Sequence, residues 1–202
     1  RTVDSKRNVI VNVHVEAANI NDVTPMPEIL DEVERRLGKL PKYMGLDAGY
    51  HNAWIAHLLE TKGIQGVIGY RRHTHKGAHY GKYRFRYDPV RDEYICPEKQ
   101  RLTWKTTTRE GYRQYCSEGK TCRGCPRRGE CFGASMNRKV VERHVWQEAL
   151  ERVDAFTKTY RASRSMDGGK RRSNDPSRRP RRITACVMRA CLGYGTCGNS
   201  VS

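Results

Sequence analysis

Strand-like and helix-like segments alternate across residues 8–70, and this alternation limits the possible folds more than any other feature of the chain. The strand-like segments are short and rich in apolar or β-branched residues, whereas the helix-like segments place their apolar residues on one helical face. The predicted strands are residues 8–15 (NVIVNVHV), 43–46 and 64–70. The predicted helices are residues 27–37, which start at Pro27 and stop at Gly38, and residues 52–62, which start at Asn52 and stop at Gly63. This order indicates an α/β sheet.

The remainder of the chain divides by composition. Residues 71–138 are basic and rich in Tyr and Cys, and they predict a small β subdomain inserted into the α/β core that begins at 1–70. Residues 139–156 predict a return to the core, as a strand or as the start of a helix. After Phe156 we find no apolar period, so residues 157–202 predict a disordered, basic tail.

The charge of the chain points to a polyanionic partner. It carries 39 Lys and Arg against 22 Asp and Glu, a net charge of +17. Nucleic acid is the expected partner, and an ordinary solvated basic surface is the alternative. Because no run of 18 apolar residues exists, we expect no membrane contact, and without a signal peptide we expect a cytoplasmic location. The chain begins at Arg1 within a strand-like run, which suggests that it continues a longer protein.

One carboxylate, Asp47 in the stretch GLDAGY, directly follows a predicted strand. Functional side chains of α/β sheets lie at the carboxyl ends of strands, and carboxylates are the ligands that Mg²⁺ prefers. The alternative is that Asp47 only caps the helix that begins near Asn52. The residues alone leave both interpretations open.

The eight cysteines are unevenly spread, with five between residues 96 and 131. In the absence of a secretory signal, such a cluster favours metal binding over disulfides. Cys122 and Cys125 have the spacing of a zinc knuckle, Cys131 follows, and either Cys96 or Cys116 can supply a fourth sulfur to a structural Zn²⁺. Reduced free thiols and disulfides are the alternatives. His73, His75 and His79 resemble a second metal motif, but we expect exposed loop histidines there.

Several blocks of the sequence, in order, closely resemble DDE-type bacterial insertion-sequence transposases. The blocks are TVDSKRNVIVNVHVEAANINDV, GLDAGYHNAWIAHLLETKGIQGVIGYRR, YICPEKQRLTW and CRGCPRRGEC, and the resemblance extends from Arg1 to about Phe156. It implies an RNase H-like fold, here incomplete, with a cysteine-rich zinc-binding insertion. It also implies a family activity in which DNA is cut at transposon ends and joined to target DNA.

The resemblance assigns roles to particular residues. In the family two aspartates and a glutamate hold Mg²⁺, and Asp47 matches the second aspartate. The first aspartate is expected upstream of this chain, so Asp4 is not expected to replace it, and Asp22 is expected to organise its loop. Cys96 matches the fourth sulfur ligand better than Cys116 does. The implied partner is DNA, with Lys6, Arg71 and Arg72 as candidate contacts, and a homo-oligomer is possible in an intact family member.

The tail contains a second resemblance, in a shifted reading frame. Codons for residues 168–176 can be chosen so that reading one nucleotide earlier gives RKETIERS. That string resembles the final family helix, which carries the catalytic glutamate. We therefore expect that the tail is out of frame after about residue 157 and that the third carboxylate is missing from this chain.

These expectations leave more than one function open. The first is a transposase chain that is inactive alone, since it has one carboxylate of three. The alternative from another class is a non-enzymatic zinc-ribbon DNA-binding protein derived from a transposase, which needs only the basic insertion. A nuclease of the same fold is a third.

Overall fold

The computed structural model describes residues 1–4, 9–17, 19–69, 77–166 and 188–191 of the 202-residue chain. The chain forms two compact units. Residues 1–71 and 148–202 make the first, here the α/β unit. Residues 72–147 make the second, here the cysteine-rich unit.

The α/β unit is built on a five-stranded mixed sheet. Its strands are β1 (Thr2–Asp4), β2 (Ile10–Asn12), β3 (Tyr43–Leu46), β4 (Gln65–Ile68) and β10 (Met188–Cys191), in the order β2-β1-β10-β3-β4. Strand β1 is antiparallel to β2 and parallel to β10, β10 is antiparallel to β3, and β3 is parallel to β4. The carboxyl ends of β2, β3 and β4 therefore share one edge of the sheet.

Three helices accompany this sheet: α1 (Met26–Leu37), α2 (Ala53–Thr61) and α5 (Gln147–Met166). Helix α1 buries one apolar face and ends at Gly38, whose φ of 68° suits glycine and whose N–H donates to Glu34. Helix α2 begins at Asn52, whose side chain accepts a 2.8 Å hydrogen bond from the Ile55 N–H. The fully buried side chains of the unit include Met26, Leu30, Val33, Met44, Ile55, Leu59, Ile68 and Val153.

The predicted end of the core at Phe156 is too early. Helix α5 continues to Met166, and it packs beyond Phe156: the Tyr160 ring stacks on Phe156, and the buried Thr157 hydroxyl accepts a hydrogen bond from the Ile68 N–H. Because Val153, Thr157 and Tyr160 are spaced at three and four residues, the inward face of the helix persists past the predicted boundary.

Two other predictions about chain segments also need correction. The predicted strand at 8–15 is a strand only over Ile10–Asn12. The predicted disordered tail contains strand β10 at Met188–Cys191, while residues 167–187 and 192–202 lie outside the described part of the chain. Among the described residues, no helix has the length and apolar character that crossing a bilayer requires.

The cysteine-rich unit is a sequential antiparallel meander. Its strands are β5 (Arg86–Asp88), β6 (Glu93–Ile95), β7 (Arg101–Thr107), β8 (Tyr112–Ser117) and β9 (Val140–His144), which pair in chain order. Its apolar core is small and consists of Phe85, Tyr94, Leu102, Tyr115 and Val141. Two short helices, α3 (Gly119–Arg123) and α4 (Arg128–Cys131), lie between β8 and β9 and contain no buried residue.

The turn between β5 and β6 is held by Asp92, which adopts a φ of 48°. Its carboxylate accepts hydrogen bonds from the Tyr115 hydroxyl (2.5 Å) and the Tyr87 hydroxyl (2.7 Å) and pairs with Arg113 (3.3 Å). Partial burial favours the neutral carboxyl, but these hydrogen bonds and the charges of Arg113 and Arg143 outweigh it, so the pKa of Asp92 lies below its ordinary value.

This lowered pKa predicts an acid-sensitive contribution to stability. A carboxylate whose folded pKa is depressed stabilises the fold above its unfolded pKa, and the contribution is lost as the pH falls through the folded pKa. We expect the free energy of unfolding to fall below pH ~4, and Asp92→Asn to remove part of that dependence. Asn tolerates a positive φ, so the backbone should be kept. Urea denaturation between pH 3 and 7, with Asp22→Asn as control, measures this; equal acid sensitivity in both variants would contradict it.

Candidate functional site

Asp47 lies directly after β3, at the edge where the carboxyl ends of β2, β3 and β4 meet. The side chain is exposed, and its Oδ1 accepts a 2.8 Å hydrogen bond from the Gly49 N–H of a single 3₁₀ turn, Ala48–Tyr50. Among the described residues, no other hydrogen bond or ion pair engages the Asp47 side chain. Because Asn52 caps α2, Asp47 does not cap that helix; it caps the 3₁₀ turn through Oδ1, and Oδ2 has no hydrogen-bond partner among the described residues.

Two contacts position the segment that follows Asp47. The Gly69 N–H donates to the Leu46 carbonyl, and a Cβ at Gly69 would lie 2.8 Å from the Ala48 nitrogen and 3.1 Å from the Asp47 carbonyl carbon. Glycine is therefore required for the chain after β4 to approach Asp47 so closely. His51, whose side chain is 7% exposed, forms a 2.8 Å hydrogen bond with Asp154 on α5. Sequence reasoning missed this pair, since nothing local links residues 103 positions apart.

The other aspartates considered do not join Asp47. Asp4 ends β1, which runs opposite to β3, and the sheet register places it level with Met44, two strands away. Strand spacings put Asp4 about 14 Å from Asp47, as expected for a residue outside the site. Asp22 does not organise its loop by a side-chain bond; Asn21 does, by accepting from the Val23 N–H.

The four cysteines predicted as zinc ligands line one cavity of about 360 Å³ in the cysteine-rich unit. The cavity wall carries Cys96, Cys122, Cys125 and Cys131, together with the basic residues Lys99, Arg101, Arg128 and Lys139. Cys116 is buried in β8 and is not part of this wall. No three of the four sulfurs lie within 4.8 Å of one another, the spacing at which described residues would form a closed metal site.

The backbone after Cys96 forms a tight turn that brings an N–H group to the Cys96 sulfur. The Lys99 N–H donates to the Cys96 carbonyl, Lys99 adopts a φ of 58°, and the Gln100 N–H points at the Cys96 sulfur at 3.3 Å. The Cys122 thiol donates to the Ser117 hydroxyl at 3.0 Å, which fixes the second sulfur against β8.

The other sulfurs of the cavity wall affect the pKa of Cys131. Burial raises the pKa of its thiol, the Cys122, Cys96 and Cys125 sulfurs raise it further, and Lys139 opposes them. Lys139 is held in place by hydrogen bonds from its Nζ to the Tyr80 carbonyl (2.6 Å) and the Cys131 carbonyl (3.1 Å). The three other sulfurs of the cavity wall thus lie near enough to Cys131 to act on it electrostatically, as does the Lys139 ammonium group.

Arg127 ties together the segments that carry the cysteines. Its guanidinium pairs with Glu98 at 2.7 Å, two residues after Cys96, and donates to the Tyr80 hydroxyl at 3.2 Å. That hydroxyl also bonds Glu130, next to Cys131. This network joins the Cys96 and Cys131 segments through side-chain hydrogen bonds.

Only some of the candidate DNA contacts lie among the residues that the structure describes. Lys6, Arg71 and Arg72 lie outside the described residues, as do His73 and His75; His79 is exposed, as expected, and bonds the Gly129 carbonyl through Nδ1. Tyr94 and Tyr115 belong to the core, while Tyr83 and Tyr112 are exposed. The exposed cations of the cysteine-rich unit that form no ion pair with a described residue include Lys105, Arg109, Lys120, Arg123 and Arg138.

Comparison with known protein families gives one match. A family model described as "Transposase DDE domain" matches residues 95–173. The match confirms the resemblance to DDE-type transposases; it covers most of the cysteine-rich unit and α5, and it does not include Asp47. No curated protein and no solved structure matches the chain.

Proposed function

We propose that this chain, a DDE-type transposase fragment, takes part in DNA transposition, and that Asp47 is one of the carboxylates that hold the catalytic Mg²⁺. The family match over residues 95–173 carries the assignment to transposition. An exposed carboxylate at the carboxyl edge of a mixed sheet, with one oxygen uncommitted, supports the role of Asp47. The mixed sheet also agrees with an RNase H-like core.

The donor set around Asp47 fits Mg²⁺ only in part. Hard oxygen ligands are what Mg²⁺ requires, and two-metal phosphoryl chemistry needs several carboxylates. Asp4 is too distant, and Asp154 is engaged by His51. We therefore propose that this polypeptide does not transpose DNA alone and that the missing carboxylates belong to an upstream segment and to the out-of-frame tail.

The frame proposal is supported by the coding freedom of residues 168–176, which lie beyond the described residues. Since α5 continues to Met166 in the present frame, we propose a change of frame later than residue 157 and before residue 168. A deletion, a sequencing error or programmed frameshifting would each produce it.

Sequencing the gene through codons 157–176 and upstream of Arg1 tests the assignment. We expect codons that yield KETIER one nucleotide earlier, and an upstream frame that encodes a strand bearing Asp. A protein extended and corrected accordingly should join transposon ends to target DNA with Mg²⁺, and Asp47→Asn should lower that rate at least about 100-fold. Strand transfer by the present chain, or an active Asp47→Asn variant, would contradict the proposal.

We further propose one structural Zn²⁺ bound by Cys96, Cys122, Cys125 and Cys131. Zinc with four thiolates carries a net charge of −2, and the four basic residues of the cavity wall would offset that charge. Of these residues, Arg101 also pairs with Glu93 at 3.4 Å. The sulfurs must move closer together to bind one ion, and the short helices α3 and α4, which bury no side chain, can shift to allow it.

DNA is the proposed partner, in the cytoplasm, and the unpaired cations of the cysteine-rich unit are its proposed contacts. The alternative function, a non-enzymatic zinc-ribbon DNA-binding protein, is favoured by one observation: residues 72–147 form a compact unit with its own core. Such a protein would bind DNA unchanged in the Asp47→Asn variant and would gain no activity from frame correction. Self-association, proposed for an intact family member, would be tested by ultracentrifugation of the corrected protein.

A further inference from the structure

We propose that His14, Glu16 and Glu28 form a second cation site, which binds one first-row divalent metal ion of the Zn²⁺ class. One ligand atom from each of the three side chains lies within 4.8 Å of the other two. His14 Nε2 and Glu16 Oε1 are 3.0 Å apart, so small side-chain adjustments would bring them to metal-bonding distance. Within the described part of the chain, this is the group whose geometry meets that condition.

The three residues come from two packed elements. His14 and Glu16 follow the end of β2, and Glu28 lies in the first turn of α1, which packs against β2. A cation bound there would join a segment outside regular structure to the start of a helix. The His14 side chain is only 15% exposed, whereas both glutamates remain open to solvent, which leaves a path for the ion.

A buried side-chain amide without a hydrogen-bond partner lies two residues before His14 in the sequence. Asn12 is 2% exposed, and neither its Nδ2 nor its Oδ1 has a hydrogen-bond partner among the described residues. Buried amides are nearly always paired, because an unpaired one costs about 1–3 kcal/mol. An amide of this kind is able to accept a hydrogen bond from, or donate one to, a water molecule or a ligand.

Asn12 and His14 are both shielded from solvent, unlike the residues next to them. Asn12 is buried and His14 is largely buried, whereas Val13 and Val15 are 57% and 86% exposed. The two shielded side chains are two residues apart in the sequence. Water molecules of a hydrated cation on His14 are the kind of partner that a neighbouring buried amide can use.

The donor atoms define the class of metal. One imidazole nitrogen and two carboxylate oxygens suit Zn²⁺, and the same donors suit Mn²⁺, Co²⁺ or Ni²⁺ with affinities in the general order of the first-row metals. Mg²⁺ avoids nitrogen ligands and is not expected. Strands β2 and β3 are separated by two strands, which places this site about 14 Å from Asp47 along the sheet edge. It is therefore distinct from the site proposed at Asp47.

Counting bound Zn²⁺ in the full chain tests the proposal. Equilibrium dialysis followed by elemental analysis would compare the unaltered chain with His14→Gln, Glu28→Gln and the control Asp22→Asn, an exposed carboxylate of the same loop. We expect His14→Gln and Glu28→Gln each to bind one equivalent less than the unaltered chain, and Asp22→Asn to bind the same number. Because only differences between variants count, the result does not depend on whether the cysteines bind zinc.

Spectra of the Co²⁺-loaded chain provide a second readout. Sulfur-to-cobalt charge-transfer bands report on the cysteines alone, so they should be equal in the unaltered chain and in Glu28→Gln, while the total Co²⁺ bound differs by one equivalent. Circular dichroism establishes that each variant is folded; if His14→Gln is not, the exposed Glu28→Gln decides. Equal metal content in the unaltered chain and in folded Glu28→Gln would overturn the proposal.

Discussion

Removal of the proposed Zn²⁺ is expected to unfold the cysteine-rich unit. Helices α3 and α4 bury no side chain, and the main apolar cluster of the unit has five buried residues, so packing contributes little to holding the segment with Cys122 and Cys125. Structural zinc sites stabilise small domains by about 10–16 kcal/mol. Chelation should therefore abolish most of the β-sheet circular dichroism from residues 72–147 and release the metal ion held by the four cysteines.

Cysteine variants make the same prediction specific. Cys122→Ala should lose the zinc equivalent that is released by chelation, and Cys116→Ala should keep it, because Cys116 does not line the cavity. Elemental analysis and thermal unfolding of the two variants measure both effects. A metal-free chain with the meander intact, or equal zinc loss in both variants, would show that the cysteines act as free thiols.

The second large effect is expected for Gly69→Ala. The added Cβ would lie 2.8 Å from the Ala48 nitrogen, and backbone cannot move aside as a side-chain tip can. Overpacking of this kind costs about 1–3 kcal/mol, and the movement should displace the segment that carries Asp47. Chemical denaturation should show a loss at the upper end of that range, and amide resonances of residues 47–51 should shift.

Two other glycines provide the comparison. At Gly129 an added Cβ meets nothing within 4 Å, so Gly129→Ala should change stability by less than about 0.5 kcal/mol. At Gly66 the nearest atom is the Leu59 Cδ1, at 2.9 Å, which can rotate, so we expect an intermediate cost. If Gly69→Ala is no worse than Gly66→Ala, the close approach of β4 to Asp47 is not a constraint.

Elements with strong local signals were predicted well from the sequence. Strand β3 has the predicted bounds, α1 differs from prediction by one residue at its start, and α2 differs by one residue at each end. Gly38 and Asn52 act as the stop and cap that their residue types indicate, because capping depends on the local backbone alone. The position of Asp47 after β3 could be predicted for the same reason.

Elements that depend on distant residues were missed. The β7–β8 hairpin has a mixed pattern in which Leu102 is buried and most of β7 is exposed, so no clean alternation marks it. The His51–Asp154 hydrogen bond and the Asp92 network involve side chains that only the fold brings together. Strand β10 lies in a segment without apolar periodicity, and its pairing with β1 and β3 has no local signal.

The order of the elements along the chain also sets an order of events during synthesis. The meander of the cysteine-rich unit pairs each strand with the next, so it can form as soon as β9 leaves the ribosome. The α/β unit cannot form before α5 has been synthesised, because three of its contacts are made with that helix. Gly66 packs near Val153, the Ile68 N–H donates to Thr157, and His51 forms a hydrogen bond with Asp154. At about 5–20 residues per second, residues 1–69 remain without their closing helix for roughly 4–17 s. During that interval the apolar surfaces that α5 later covers remain open to aggregation, so synthesis speed through residues 70–150 should influence the yield of folded protein.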